Sequence, residues 1–316
     1  MGDLAAVAER AVDAINDLSG RHEGFRAAHA RGTLCAGTFT ASPGAAELTR
    51  AAHMQGEPVR VTVRFSNGSG DPGTPDNDRR DGRGMAVKFY LPDGTTTDIV
   101  GLTLPAFFVR TPEDFIDFAY ARKPDPETGE LDMEKVGAFL GEHPETAKAL
   151  EVILPALAPP RSYATVAYNS IHSFRLVNGA GEGRFARYRF APEAGVEALP
   201  EDEIDGAPRE YLQDDIRERL DSGPVRFTLL ARLAADDDAI EDPTIPWPEG
   251  EREEVELGML ELTGLETERE TGDDVLVFDP TRVTDGIELS DDQILHVRSH
   301  AYSVSVERRA GVPRPA

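Results

Sequence analysis

Alternating apolar and polar positions recur along this chain in turn-linked groups. Val59, Val61, Val63 and Phe65 alternate with polar neighbours, the period-two pattern of a strand with one buried face. GMAVKFYLPDG follows and ends in a Pro-Asp-Gly turn, then comes the apolar stretch TTDIVGLTLPAFFV. Upstream, residues 21–42 lead from a polar arm into a first short strand. Strand patterns resume in YATVAYNSIHSFRLVN, RFARYRFAP, VRFTLLARLA and EVELGMLELTGLE, which makes eight in all.

Helical periodicity occupies the gaps between these groups. Leu4, Val7, Ala8, Val12, Ile15 and Leu18 share one side of an N-terminal helix. AAELTRAAHMQG predicts a small helix, and TPEDFIDFAYARK one with a Thr-Pro entry. Residues 130–151 are helical in composition with a break at Pro144, and EYLQDDIRERLDSG is closed by Gly223. The last helix, within residues 290–311, carries signals at both ends. Ser290 with Gln293 forms a capping-box pattern, Asp291 and Asp292 sit at the positive end of the macrodipole, Arg308 and Arg309 fall in the last turn, and Gly311 follows as a stop. Hairpin-linked strands with helices inserted rather than alternating predict an α+β fold, an eight-stranded antiparallel β-barrel with inserted and flanking helices. No internal repeat or long biased linker divides the chain. One domain over 1–316 is expected, with a helix and arm at 1–32, the barrel and its helical insertions at 33–280, and the C-terminal helix within 281–316.

Composition narrows the function. The 33 basic and 58 acidic residues give a net charge of −25, which repels phosphates and anionic lipid headgroups, so nucleic acid and membrane surfaces are not expected partners. No apolar run approaches the length of a membrane span, and the N-terminus has no basic end or continuous apolar core of a secretory signal. A cytoplasmic protein is the expectation. The single cysteine, Cys35, excludes an intrachain disulfide and reads as a small core residue. The Cys/His spacing does not suggest zinc, and GSGDPG lacks the helix and Lys-Ser/Thr of a phosphate loop.

Three stretches carry candidate chemistry. On the last helix Arg298 and Tyr302 are four apart and share a face, with Arg309 two turns further on pointing roughly the same way. An arginine beside a phenol favours the phenolate, a hard anionic ligand able to hold a ferric haem; an amphipathic helix with a surface arginine and a half-buried tyrosine accounts for the spacing equally well. Arg64 and Ser66 face one side of their strand, opposite Val63 and Phe65. There they are either costly and partnered or simply exposed on an edge. His29 lies in a glycine-flanked arm before the first strand, either beside a ligand or in an exposed loop.

Together RAAHARG, VRFSNGSGD, RDGRGMAVKFY, PAFFVRTPEDF, NSIHSFRLVNGAGE, FDPTRVTDGIELSDD and the R-x-x-x-Y of the last helix resemble the haem-catalase superfamily, specifically its short catalase-related peroxidases, over roughly residues 21 to 309. The resemblance implies an eight-stranded barrel enclosing haem b. It implies Tyr302 as the proximal iron ligand with Arg298 as its charge partner, connected onward to His172 and Asp292. His29 corresponds to the distal acid–base, and Ser66 to the serine that hydrogen-bonds it. Arg26, Arg64 and Arg309 correspond to the arginines on the haem propionates, and Phe115 to an aromatic beside the haem face; the last helix becomes the proximal haem helix. One position departs from the family. VGLTLP places Leu102 where large catalases carry a distal asparagine, with Thr103 beside it, and leucine offers no donor or acceptor. The C-terminal helical domain of long catalases is also missing, which implies a more open pocket. The expectation is a haem-b peroxidase that reduces hydrogen peroxide, with organic hydroperoxides as further candidate substrates. It would use a small organic electron donor, show weak or no catalase activity, and act as a monomer or small homo-oligomer. The alternatives are a haem enzyme that rearranges fatty-acid hydroperoxides and a non-enzymatic haem-binding barrel.

Overall fold

The computed structural model describes residues 4–271 and 274–310. Its strands are β1 (Gly32–Ala41), β2 (Val59–Asn67), β3 (Arg83–Tyr90), β4 (Thr96–Leu102), β5 (Tyr168–Asn169), β6 (Phe174–Val177), β7 (Gly183–Pro192), β8 (Val225–Leu233), β9 (Glu254–Leu265) and β10 (Ile287–Leu289). Pairing runs antiparallel through β1-β2-β3-β4-β5-β7-β8-β9 and back to β1, so eight strands close into a barrel. β6 takes over from β5 along the same edge of β7, and β10 adds outside it.

The stretch expected as one strand around residues 163–178 is interrupted. A 3-10 turn at Tyr163–Thr165 precedes the two-residue β5, and the chain bends before β6. The Ser170 hydroxyl accepts the Tyr188 N–H at 2.7 Å and donates to the His172 carbonyl at 3.0 Å, so a side chain replaces a rung of the ladder and re-aims His172.

The helices are α1 (Leu4–Ser19), α2 (Ala45–Leu48), α3 (Pro112–Ala121), α4 (Met133–Glu142), α5 (Pro144–Ala156), α6 (Glu201–Ile204), α7 (Tyr211–Ser222) and α8 (Gln293–Arg309). Pro144 opens α5 at a position where its missing N–H costs nothing, and the reciprocal box of Thr111 and Asp114 starts α3. The expected Ser290–Gln293 box does not form. Asp292 caps α8 instead, accepting from the N–H groups of Ile294 at 2.8 Å and Leu295 at 3.3 Å, because the helix begins only at Gln293. Gly311, the expected stop, lies outside the described residues. Among the described residues no helix is long and apolar enough to cross a membrane.

Inward-facing side chains fill the barrel. Phe39, Phe65, Phe89, Tyr168, Phe190 and Phe227 are at most 1% exposed, with Phe39 edge-on to Phe89 and Phe65 stacked on Tyr163. Each buried ring of this kind contributes about 1.5–3 kcal/mol. Cys35 belongs to this core, and burial pushes its thiol up to about 12, so it is inert packing. A packed interior corrects the expectation of a barrel that encloses its cofactor, since a macrocycle has no room inside. The alternate residues of β2–β4 face outwards instead, and α1 and α8 lie over that outer face.

Candidate active site

A cavity of about 780 Å³, open mouth included, lies between the outer face of the barrel and α8. Strand register builds its floor in two rows. Ser66, Gly84 and Leu102 are cross-strand partners in one, and Arg64, Ala86 and Val100 in the other. Arg298, Tyr302, Ser305 and Arg309 of α8 form the facing wall, the arm at residues 26–29 closes one side, and Val12 and Ile15 of α1 reach in from the end. The three separate stretches singled out in the sequence therefore meet around a single space.

On the α8 side, Arg298 donates to the Tyr302 phenolic oxygen from Nε at 2.9 Å and from Nη2 at 2.6 Å, while its Nη1 reaches His172 Nε2 at 2.9 Å. Guanidinium can only donate, so His172 Nε2 must accept and its proton sits on Nδ1, donated to Asp292 at 2.6 Å. Burial is the largest influence on His172 and holds its pKa below the usual value despite the Asp292 carboxylate, in keeping with that neutral tautomer. The chain Asp292–His172–Arg298–Tyr302 thus delivers two donors onto one phenolic oxygen. Asp292 does this while also capping α8, so one carboxylate fixes both the helix start and the relay.

Across the cavity, His29 Nδ1 lies 3.0 Å from the Ser66 hydroxyl. Its backbone has φ 55°, a left-handed conformation found among the described residues at no other non-glycine position. The main-chain bond from its N–H to the Gly68 carbonyl and the Arg64 bond to its own carbonyl hold it there. A Cβ at Gly84 would come within 2.9 Å of both the imidazole and the Ser66 hydroxyl, so only glycine leaves the ring its place. Gly32 does the same for Arg64, whose guanidinium carbon would lie 2.6 Å from an added Cβ. Burial, then Arg64, Arg298 and Arg26, push the His29 imidazole down to about 3, so it is neutral near pH 7 and able to accept a proton. Leu102 is in the floor beside them as expected. Thr103 is not part of the lining; its hydroxyl accepts the Arg83 N–H at 3.1 Å.

Arg26, Arg64 and Arg309 converge at one edge of the cavity on the buried carboxylate of Glu270, with Arg26 gripping both oxygens at 2.9 and 2.7 Å. The Arg64 Nε donor is buried close to that acid without hydrogen-bond geometry, so the cluster retains donor capacity. Together with the phenolic oxygen that accepts twice from Arg298, this donor set fits a metal macrocycle carrying carboxylates. Phe115 does not enter the lining. Its ring packs with Phe107 and Phe108 and against the small residues of α1, supporting the wall from behind. Sequence reasoning missed Glu270, Val12, Ile15 and Phe278. Glu270 sits in the polar run LETERETGDD, where nothing distinguishes one inward acid from its solvated neighbours.

The outer face of a packed antiparallel barrel thus carries an arginine-held tyrosine opposite a serine-held histidine. The family model described as Catalase matches residues 15–314, and the chain belongs to the catalase family. Within it, the chain is 43% identical over 98% of its length to a catalase-related peroxidase of Mycolicibacterium paratuberculosis, covering 96% of that protein. It is 34% identical to a catalase-related peroxidase of Synechococcus elongatus, over 95% of this chain and 88% of the other. A catalase of Latilactobacillus sakei is 30% identical over 90% of this chain, but the match spans only 62% of its length. The crystal structure of a fungal catalase superposes with a TM-score of 0.79 at 25% identity, over 90% of this chain and 59% of that one.

Proposed function

We propose that the protein is a haem-b peroxidase that reduces hydrogen peroxide with a small organic donor and has little catalase activity. The observation that carries this reading is the double donation of Arg298 to Tyr302, backed by His172 and Asp292, on the opposite wall of one cavity from His29 and Ser66. Tyr302 would ligate the iron through its phenolate oxygen, and Arg26, Arg64 and Arg309 would hold the propionates. When bound, the haem supplies the redox chemistry, taking two electrons from donor molecules for each peroxide reduced to water. Ser66 accepts from Nδ1–H of His29, which leaves Nε2 with its lone pair towards the cavity. Nε2 takes the proton from one peroxide oxygen and returns it to the other as the O–O bond breaks. Leu102 leaves the floor beside His29 without an amide to hold a second peroxide molecule, and Thr103 is engaged with the main chain. Peroxide reduction by an external donor is thereby favoured over disproportionation.

The test is steady-state oxygen release against donor oxidation on one haem-loaded preparation. Donor oxidation should exceed oxygen release, and the reverse ratio would overturn the reading. Tyr302→Phe should change the visible spectrum of the loaded protein, while an unchanged spectrum would exclude Tyr302 as ligand. The apolar contribution of Val12, Ile15, Val100, Leu102 and Phe278 favours a second substrate class, organic hydroperoxides. Rearranged product formed from a fatty-acid hydroperoxide without any donor would replace the peroxidase reading with an isomerase.

A further inference from the structure

Three guanidiniums at the cavity edge share one carboxylate, and that carboxylate belongs to the protein. Glu270 accepts from Arg26 Nε at 2.9 and 2.7 Å on its two oxygens and ion-pairs with Arg64 Nε at 3.0 Å and Arg309 Nε at 3.4 Å, and its main-chain carbonyl accepts from Arg309 at 3.2 Å. The side chains of Glu270, Arg64 and Arg309 are 2–3% exposed, so water does little to screen them. Glu268 stands 3.9 Å from Arg64 with both carboxylate oxygens buried, a second acid beside the cluster. The remaining donors are partly spent, Arg26 on the Leu276 carbonyl at 2.9 Å and Arg309 on the Ser305 hydroxyl at 3.1 Å.

Buried guanidiniums gathered in a cavity wall form the seat that an incoming carboxylate would use. Glu270 occupies that seat. We propose that Glu270 is a resident stand-in for the cofactor's carboxylates: it keeps Arg26, Arg64 and Arg309 assembled while no ligand is bound, then competes with the ligand for the same guanidiniums, and so sets affinity and selectivity for a dicarboxylate porphyrin. This rests on the reading of the cavity as a haem site. Without the acid, three like charges would be buried in contact in the empty protein, whereas the loaded protein has two other carboxylates to neutralise them. Glu270 therefore stabilises the empty state at the expense of ligand affinity.

The experiment titrates cofactor-free protein with haemin and with haemin dimethyl ester, which lacks free carboxylates, following absorbance. Wild type should prefer haemin. Glu270→Gln should bind haemin at least tenfold more tightly than wild type, with its affinity for the ester changed less than twofold. Its melting temperature should fall in the empty state, and the deficit should close on loading with haemin. Haemin binding that is unchanged or weaker in Glu270→Gln, or an equal gain for the ester, would overturn the stand-in role while leaving the haem reading intact. Failure of wild type to take up either porphyrin would overturn the haem reading and this proposal with it. Should Glu270→Gln not fold, Glu270→Asp keeps the charge but shortens its reach. It should bind haemin more tightly than wild type by a smaller factor, and equal or weaker binding would overturn the proposal.

Discussion

A left-handed backbone at a histidine costs about 1–3 kcal/mol relative to an allowed conformation, and the structure holds His29 in it with bonds to the Gly68 carbonyl just past β2 and from the Arg64 side chain within β2. The cost places a neutral imidazole over the cavity, and a pH dependence follows. The His29 pKa is lowered to about 3 in the folded protein against roughly 6.5 in an unfolded chain. The folded state therefore binds fewer protons across that window, and the stability His29 contributes is present above about pH 6.5 and lost as pH falls towards 3. The stopped-flow rate with hydrogen peroxide should stay level from pH 8 to about 4. A midpoint near 6.5 would show that His29 titrates normally. The other residue-scale prediction concerns Leu102. Leu102→Asn restores one amide to the floor, and one net hydrogen bond of about 0.5–1.5 kcal/mol should raise oxygen release from a few-fold to about tenfold relative to donor oxidation, read on an oxygen electrode beside a dye assay. At this scale the sequence singled out residues that the structure brings to one cavity, since alternation put Arg64 and Ser66 on one side and helical spacing paired Arg298 with Tyr302. It could not show Glu270, because an inward acid and a solvated one look alike until the three arginines around it are placed.

Local patterns located the elements well and their edges less well. Ser290 and Asp292 are both good caps, and the choice between them depends on His172, 120 positions away, which pulls the Asp292 carboxylate into the relay. The same long-range demand accounts for the break before β6, where alternation persists in the letters while Ser170 interrupts the ladder and turns His172 towards Arg298. The two duties of Asp292 are separable by substitution. Asp292→Ala removes a cap worth about 0.5–2 kcal/mol and orphans the buried Nδ1–H of His172 for about 1–3 more, a loss of about 1.5–5 kcal/mol in denaturant unfolding. Asp292→Asn keeps an accepting oxygen for the cap and should recover the cap's share, about 0.5–2 kcal/mol. Equal losses in the two variants would show that capping contributes little.

At the scale of the whole molecule, eight strand patterns became eight barrel strands because each alternation had a real interior to face. Which side of the barrel would hold the ligand was not written in the alternation. The inward set proved fully packed, so the cavity lies on the outer face, where Arg64 and Ser66 read locally as exposed or edge positions. The other molecular property is the net charge of −25, which dominates the field beyond a Debye length of about 10 Å at 0.1 M salt. The arginine cluster acts at short range and has acids beside it, so the long-range field felt by an approaching donor remains negative. Hydrogen peroxide is neutral and its rate should not respond to salt. A cationic aromatic amine should be steered in at low ionic strength and slow as salt rises from 10 to 300 mM (about threefold or more), whereas a sulfonated anionic dye should accelerate over the same range. Second-order rate constants for the three substrates on one preparation decide this. If the anionic donor is the one slowed by salt, local arginines rather than the molecular charge govern approach, and the cavity mouth must lie open along the Arg26–Arg309 edge even with the cofactor in place.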